Sequence, residues 1–135
     1  MKGSSLIPIS YLRECLDLDP ATGHLYWKER PRNHFPTEQH FVFSNRTKTG
    51  KRADLSTFQC NGYRRVRIVY HGRAFGLIAH RVVFEIHNGH WPVFEIDHID
   101  QDRTNNKPTN LRDVTHRVNL SNRRVRPVVL TKEAA

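Results

Sequence analysis

Two runs of strand character, Tyr63–Tyr70 and Arg73–Ile78, are separated by only His71-Gly72, the two-residue spacing of a tight β-hairpin. Asn61-Gly62 supplies the turn that opens the first run. The second run passes without a linker into Ala79–Asn88, where Val82, Val83 and Ile86 share one helical face with Phe84 beside them. Gly89 follows as a C-terminal cap, and Trp91-Pro92 ends the helix. A hairpin feeding directly into a helix commits the chain to an α+β fold.

The flanks are less regular. Ile9, Leu12, Cys15 and Leu16 recur at helical spacing, which predicts a helix from Pro8 to Leu18, stopped by Asp19-Pro20. Thr22-Gly23 then turns into a short strand, His24–Lys28. The next thirty or so residues are polar and rich in breakers, so a long irregular excursion is expected there. Beyond Pro92 the pattern predicts a strand over Phe94–Ile99, a polar loop over Asp100–Asn110, a second short strand over Leu111–Val114, and a helix from Thr115 to about Arg124. The tail from Arg126 is expected to fray, and no internal repeat is present.

At 135 residues the chain has room for one modest core. Its longest apolar runs fall far short of the roughly 20 residues that cross a bilayer, and it opens on no signal-like segment, so a soluble, cytoplasmic chain is expected. Cys15 and Cys60 are too few for a four-cysteine zinc site and are expected in the core.

Twenty-two Lys and Arg against thirteen Asp and Glu leave a net charge of +9, which points to a polyanionic partner. Without a basic amphipathic helix, nucleic acid is favoured over membrane. The charge is uneven: residues 44–81 carry nine basic and one acidic group, 82–113 carry three and six, and 114–135 carry five and one. An acidic segment between two basic ones fits a cation-binding centre flanked by phosphate-binding surfaces.

That acidic segment is dense in Asp, His and Asn: Ile96-Asp97-His98-Ile99-Asp100, then Asn105-Asn106, Asn110-Leu111-Arg112, Asn119 and Asn122. If its two strands pair and the following helix folds back, Asp97 and His98 face Asn119. One carboxylate and one amide oxygen suit a hard divalent cation that keeps water and phosphate oxygens in its other positions. Strand alternation predicts that His98 points away from Asp97, free to act on a water. Asp100, Asp102 and Asn105 are read as polar loop residues in preference to a calcium loop, because residue 105 is not the required Gly and residue 111 is Leu where a bidentate Glu is needed.

In this order the residues resemble the small HNH endonucleases of phage and intron-encoded homing type, with their ββα-metal fold. Asp97-His98 is similar to the first motif, Asn110 to the central asparagine, and Asn119 to the last position, which is His or Asn in the family. Upstream, Gly-x-Leu-Tyr-Trp at 23–27, Gly-Tyr at 62–63, Ala-His-Arg at 79–81 and Gly-x-Trp-Pro at 89–92 resemble the leader of phage members. The resemblance implies two catalytic residues, His98 as general base and Asn110 bracing its loop. It also implies that Asp97 and Asn119 are metal ligands, with Mg2+ or Mn2+ preferred over Zn2+ because the last ligand is an amide oxygen. The implied reaction is phosphodiester hydrolysis to 5′-phosphate and 3′-hydroxyl ends.

Double-stranded DNA is the expected partner of a monomer, with dimerisation on DNA left open. Tyr63, Arg65 and Arg67 share the outward face of their strand and are candidates for DNA contact; His80 and Arg81, which open a helix, His116 and the pair Arg123 and Arg124 are further candidates. The expected organisation is a DNA-holding region over 1–75, a nuclease core over 76–124 and a tail over 125–135. The rival reading is a DNA-binding protein that keeps the fold but does not cut.

Overall fold

The computed structural model describes residues 7–121. Helix α1 (Ile9–Cys15) runs straight into strand β1 (Leu16–Asp19), which pairs antiparallel with β2 (His24–Trp27). The predicted helix to Leu18 is therefore corrected: Leu16 turns to extended geometry, φ −134° and ψ 139°. Cross-strand pairing with Trp27 satisfies its backbone while its side chain stays in the core. Asp19 organises the hairpin turn, its carboxylate accepting from Ala21 N at 3.0 Å and its carbonyl from Gly23 N at 2.7 Å.

The predicted excursion is also corrected, since it contains a short 3-10 turn (Arg32–His34) and an eleven-residue helix, α2 (Glu38–Lys48). Thr37 caps α2 by accepting from His40 N at 3.1 Å. Glu38 in the first turn and Arg46 and Lys48 in the last complement the helix dipole. Little of α2 is buried beyond Ser44. A two-way amide tie fastens it instead: Asn45 donates to Arg30 O and accepts from Arg30 N, both at 2.9 Å.

A three-stranded antiparallel sheet follows in the order β3 (Ser56–Thr57), β4 (Arg64–Tyr70), β5 (Arg73–Ile78). His71 and Gly72 both take positive φ, 50° and 75°, as a hairpin turn of this length requires. Helix α3 (Ala79–Asn88) ends where Gly89 adopts φ 79° and donates to Glu85 O. Finally β6 (Glu95–His98) pairs antiparallel with β7 (Leu111–Val114), and residues 116–121 are helical.

One apolar cluster joins these pieces: Leu12, Cys15, Leu16 and Leu25 from the first, Val66, Ile68 and Leu77 from the central sheet, Val82 and Val83 from α3, and Leu111 from β7. Tyr11 donates to Val69 O and Arg13 to Ile86 O, pinning α1 to β4 and α3. Cys15 is buried as expected, but Cys60 is exposed, because it lies in the turn before β4. No helix among the described residues is long and apolar enough to cross a membrane.

Candidate metal and catalytic centre

Antiparallel pairing of β6 with β7 sets Asp97 opposite Arg112 and His98 opposite Leu111. Asp97, His98 and Asn119 border the same cavity of about 60 Å3, together with Tyr63, Gln101 and Arg103. That is space for a hydrated ion rather than an organic ligand. Asp97 and His98 are neighbours on β6, His98 its last residue, and both border this cavity.

His98 is buried, and its Nε2 lies 2.8 Å from Asn106 Oδ1. An amide oxygen can only accept, so Nε2 carries the proton and Nδ1 keeps a lone pair. The Tyr63 ring lies parallel to the imidazole at 6.1 Å, and the His80 ring meets it edge-on at 4.9 Å. Burial, with His98 and Arg81 close by, pushes the His80 imidazole down to about 3. His80 is therefore a neutral wall under His98 in the working pH range.

Asp97 is buried, and Arg112 holds its Oδ2 through Nε at 3.0 Å and Nη2 at 2.9 Å. Asn119 donates its amide hydrogen to Glu95 Oε1 at 2.8 Å, so the acceptor end of its amide is the oxygen. The same glutamate takes a hydrogen bond from His116 Nδ1 at 2.7 Å. No cluster of three His, Cys, Asp or Glu side chains occurs among the described residues, so a closed zinc-type cage is not what they build. One carboxylate and one amide oxygen fit an oxygen-loving cation that retains water.

Asn110 ties the loop between the two strands. Its amide nitrogen donates to Asp100 Oδ1 and Asn105 O at 2.9 and 2.8 Å, and its oxygen accepts from Asp100 N at 3.0 Å. Although partial burial works upward, hydrogen bonds from Asn105, Asp102 N and Asn110 hold the Asp100 carboxyl below the usual range. Gln101, in left-handed geometry at φ 65°, turns the chain back toward the cavity. The whole loop rests on Gly23, whose φ is +77°; a Cβ there would fall 2.2 Å from the carbonyl carbon of Asn106.

The DNA-contact candidates are scattered. Arg67 is exposed on β4, and Arg65 on the same face lies 5.6 Å above the Phe58 ring. Arg81 pairs with buried Glu85 at 3.5 Å. Arg123 and Arg124 lie outside the described residues. Sequence reasoning assigned no role to Asn106, Arg112, Glu95 or Arg103. Arg103 lies 5.1 Å over the Tyr63 ring at the edge of the cavity and donates to Asn61 O. The doubled asparagine at 105–106 and the Asn-Leu-Arg at 110–112 were the local signs of these.

Residues 78–121 match the family model described as HNH endonuclease. Among solved structures the chain is similar to that of "DNA binding and cleavage by the HNH homing endonuclease I-HmuI", at 24% identity and a TM-score of 0.58. The similarity covers 89% of this chain and 57% of the other, so the chain spans little more than half of that homing endonuclease's length. No curated protein matches. Asp97, His98, Asn110 and Asn119 all fall inside the stretch 78–121 that matches the HNH endonuclease model, and the wider likeness is one of fold.

Proposed function

We propose that the chain is a divalent-metal-dependent DNA endonuclease that hydrolyses phosphodiester bonds to 5′-phosphate and 3′-hydroxyl ends. The observation that carries this reading is the shared cavity of Asp97, His98 and Asn119, with the base tautomer of His98 set by Asn106. His98 Nδ1 takes the proton from a water as that water attacks phosphorus in line, and the 3′ oxygen leaves on the opposite side. Asp97 and Asn119 hold the cation, Mg2+ or Mn2+ by the hardness of their oxygens; when bound it supplies Lewis-acid stabilisation of the phosphate's developing charge. Arg112 holds the Asp97 carboxylate in place, and Arg103 is placed to meet a phosphate at the edge of the cavity. Neutral His80 and the Tyr63 ring keep the His98 imidazole from turning.

Tyr63, Arg65, Arg67, Arg81, His116, Arg123 and Arg124 supply the remaining DNA contacts, and Asn110 acts by bracing the catalytic loop.

The test is supercoiled plasmid incubated with Mg2+, with and without chelator, for the wild type and His98→Ala. Loss of a general base is typically worth about 10²- to 10⁴-fold in rate with DNA affinity retained. Cleavage by the wild type that survives chelation, or an unchanged rate in His98→Ala, rejects the reading. DNA binding without any cleavage by the wild type selects the non-cutting alternative.

A further inference from the structure

A second, larger cavity of about 470 Å3 lies away from the HNH centre and shares no bordering residue with it. It opens between α1, the 30–36 segment, α2 and the β4–β5 turn. Its volume falls in the range of about 300–1,000 Å3 usual for small-molecule sites. Arg30, His34, His40, Lys48 and His71 all border it, and no Asp or Glu does.

The unusual member is Arg30, only 8% exposed. Its guanidinium donates to neutral acceptors: Nε to His34 Nδ1 at 3.0 Å, and Nη2 to Tyr11 Oη at 2.9 Å and to Val69 O at 3.4 Å. Aromatic faces surround the charge, with Phe35, Tyr11 and Trp27 at 5.0, 5.8 and 5.9 Å. Among the described residues no carboxylate pairs with it. Glu14 is reached only through His34, whose Nε2 donates to it at 2.6 Å. Rings and neutral oxygens orient such a cation without neutralising it, so a buried guanidinium in this setting calls for an anion. Lys48, whose Nζ lies 5.5 Å over the Trp27 ring, adds a second positive charge at the mouth.

We propose that this cavity is a phosphate-binding pocket, independent of the HNH centre, that takes a nucleoside phosphate: the charge meets Arg30 and Lys48, and the apolar wall of Phe35 and Val69 receives the base. The fixed fork of an arginine matches phosphate oxygens in pairs. The phosphate can come from a free nucleotide or from the end of a DNA strand, and the two are separable by experiment.

Trp27 is a built-in reporter. In a Trp91→Phe background its fluorescence is titrated with inorganic phosphate, thymidine, thymidine 5′-monophosphate, and a short single strand with and without a 5′-phosphate, against sodium chloride of equal ionic strength. A saturable response to phosphate is expected, stronger with thymidine 5′-monophosphate and absent with thymidine. Lys48→Glu with His71→Glu, two exposed changes, should weaken it by about tenfold or more with the circular dichroism spectrum unchanged. Tighter binding of the 5′-phosphorylated strand than of the mononucleotide assigns the pocket to strand ends, and the reverse order assigns it to free nucleotide. A response no larger than chloride's, or one that the double variant leaves intact, overturns the proposal. So does a response lost in His98→Ala, which would locate binding in the HNH centre; a response kept in a chain that fails to cut leaves the pocket standing without the nuclease.

Discussion

The imidazole of His98 and the side chain of Asn106 meet at 2.8 Å, Nε2 donating to Oδ1, across an eight-residue loop. That contact decides which ring nitrogen can act as a base. Asn106→Ala removes the acceptor and lets the ring change tautomer and tilt. Its kcat should fall roughly 10- to 100-fold, as when an orienting partner is taken from a catalytic ligand, with KM for DNA little changed. A KM effect alone would mean that Asn106 touches DNA instead.

Asn110→Ala should lose stability and activity together. The substitution breaks three hydrogen bonds and leaves Asp100 N and Asn105 O short of a partner, a loss of about 1–3 kcal/mol. Thermal melting with a single-turnover rate checks this, and a rate loss at unchanged Tm excludes the bracing role.

Arg65→Ala with Arg67→Ala should weaken binding to all sequences alike. Every phosphate that is no longer neutralised by an arginine lowers the slope of log K against log salt by about 0.9. An unchanged slope assigns the face to solvent, whereas a weakening confined to one sequence assigns these arginines to bases.

Acid should loosen the fold through His80 before the carboxylates respond. Its folded pKa, about 3, lies below the ordinary 6.5, so the folded state favours the neutral ring. The unfolded chain takes up the proton first as pH falls, and stability present above about 6.5 is lost progressively toward 3. Tm should therefore fall between pH 7 and 5, and His80→Phe should flatten that fall. Burial lowers His34 as well, in the same direction, and that contribution remains in both proteins. Equal slopes would reject the assignment. Asp100 and Asp102, both held low, respond only in more acidic solution.

One centre holding one cation completes one phosphodiester cut at a time, so a monomer should produce nicked circles first, with linear DNA late. Linear product without a nicked intermediate, together with a dimer mass in solution, would overturn this expectation.

The elements that could be read from sequence were those with their own punctuation. His71-Gly72 and Gly89 fix β4, β5 and α3 because only residues tolerant of positive φ suit those positions. Helix α2 escaped because Phe41, Val42 and Phe43 are consecutive rather than spaced by a turn, and its anchor, Asn45 to Arg30, spans fifteen residues. At the centre, spacing exposed Asp97, His98, Asn110 and Asn119. Arg112 and Glu95 stayed hidden, since each matters only for the side chain it holds, 15 residues away at Asp97 and 24 away at Asn119.

Gly23 belongs to the first hairpin, yet its missing side chain makes room for the backbone of Asn106. Any L-residue there would push on the strap that sets the proton position of His98. The stretch 78–121 is therefore a poor unit of exchange: transplanted alone, it would leave behind the surface on which the loop that holds His98 rests. A recombination event that moved this segment into another chain would preserve the contact between Asn106 and His98 only by carrying the turn at 19–23 along with it.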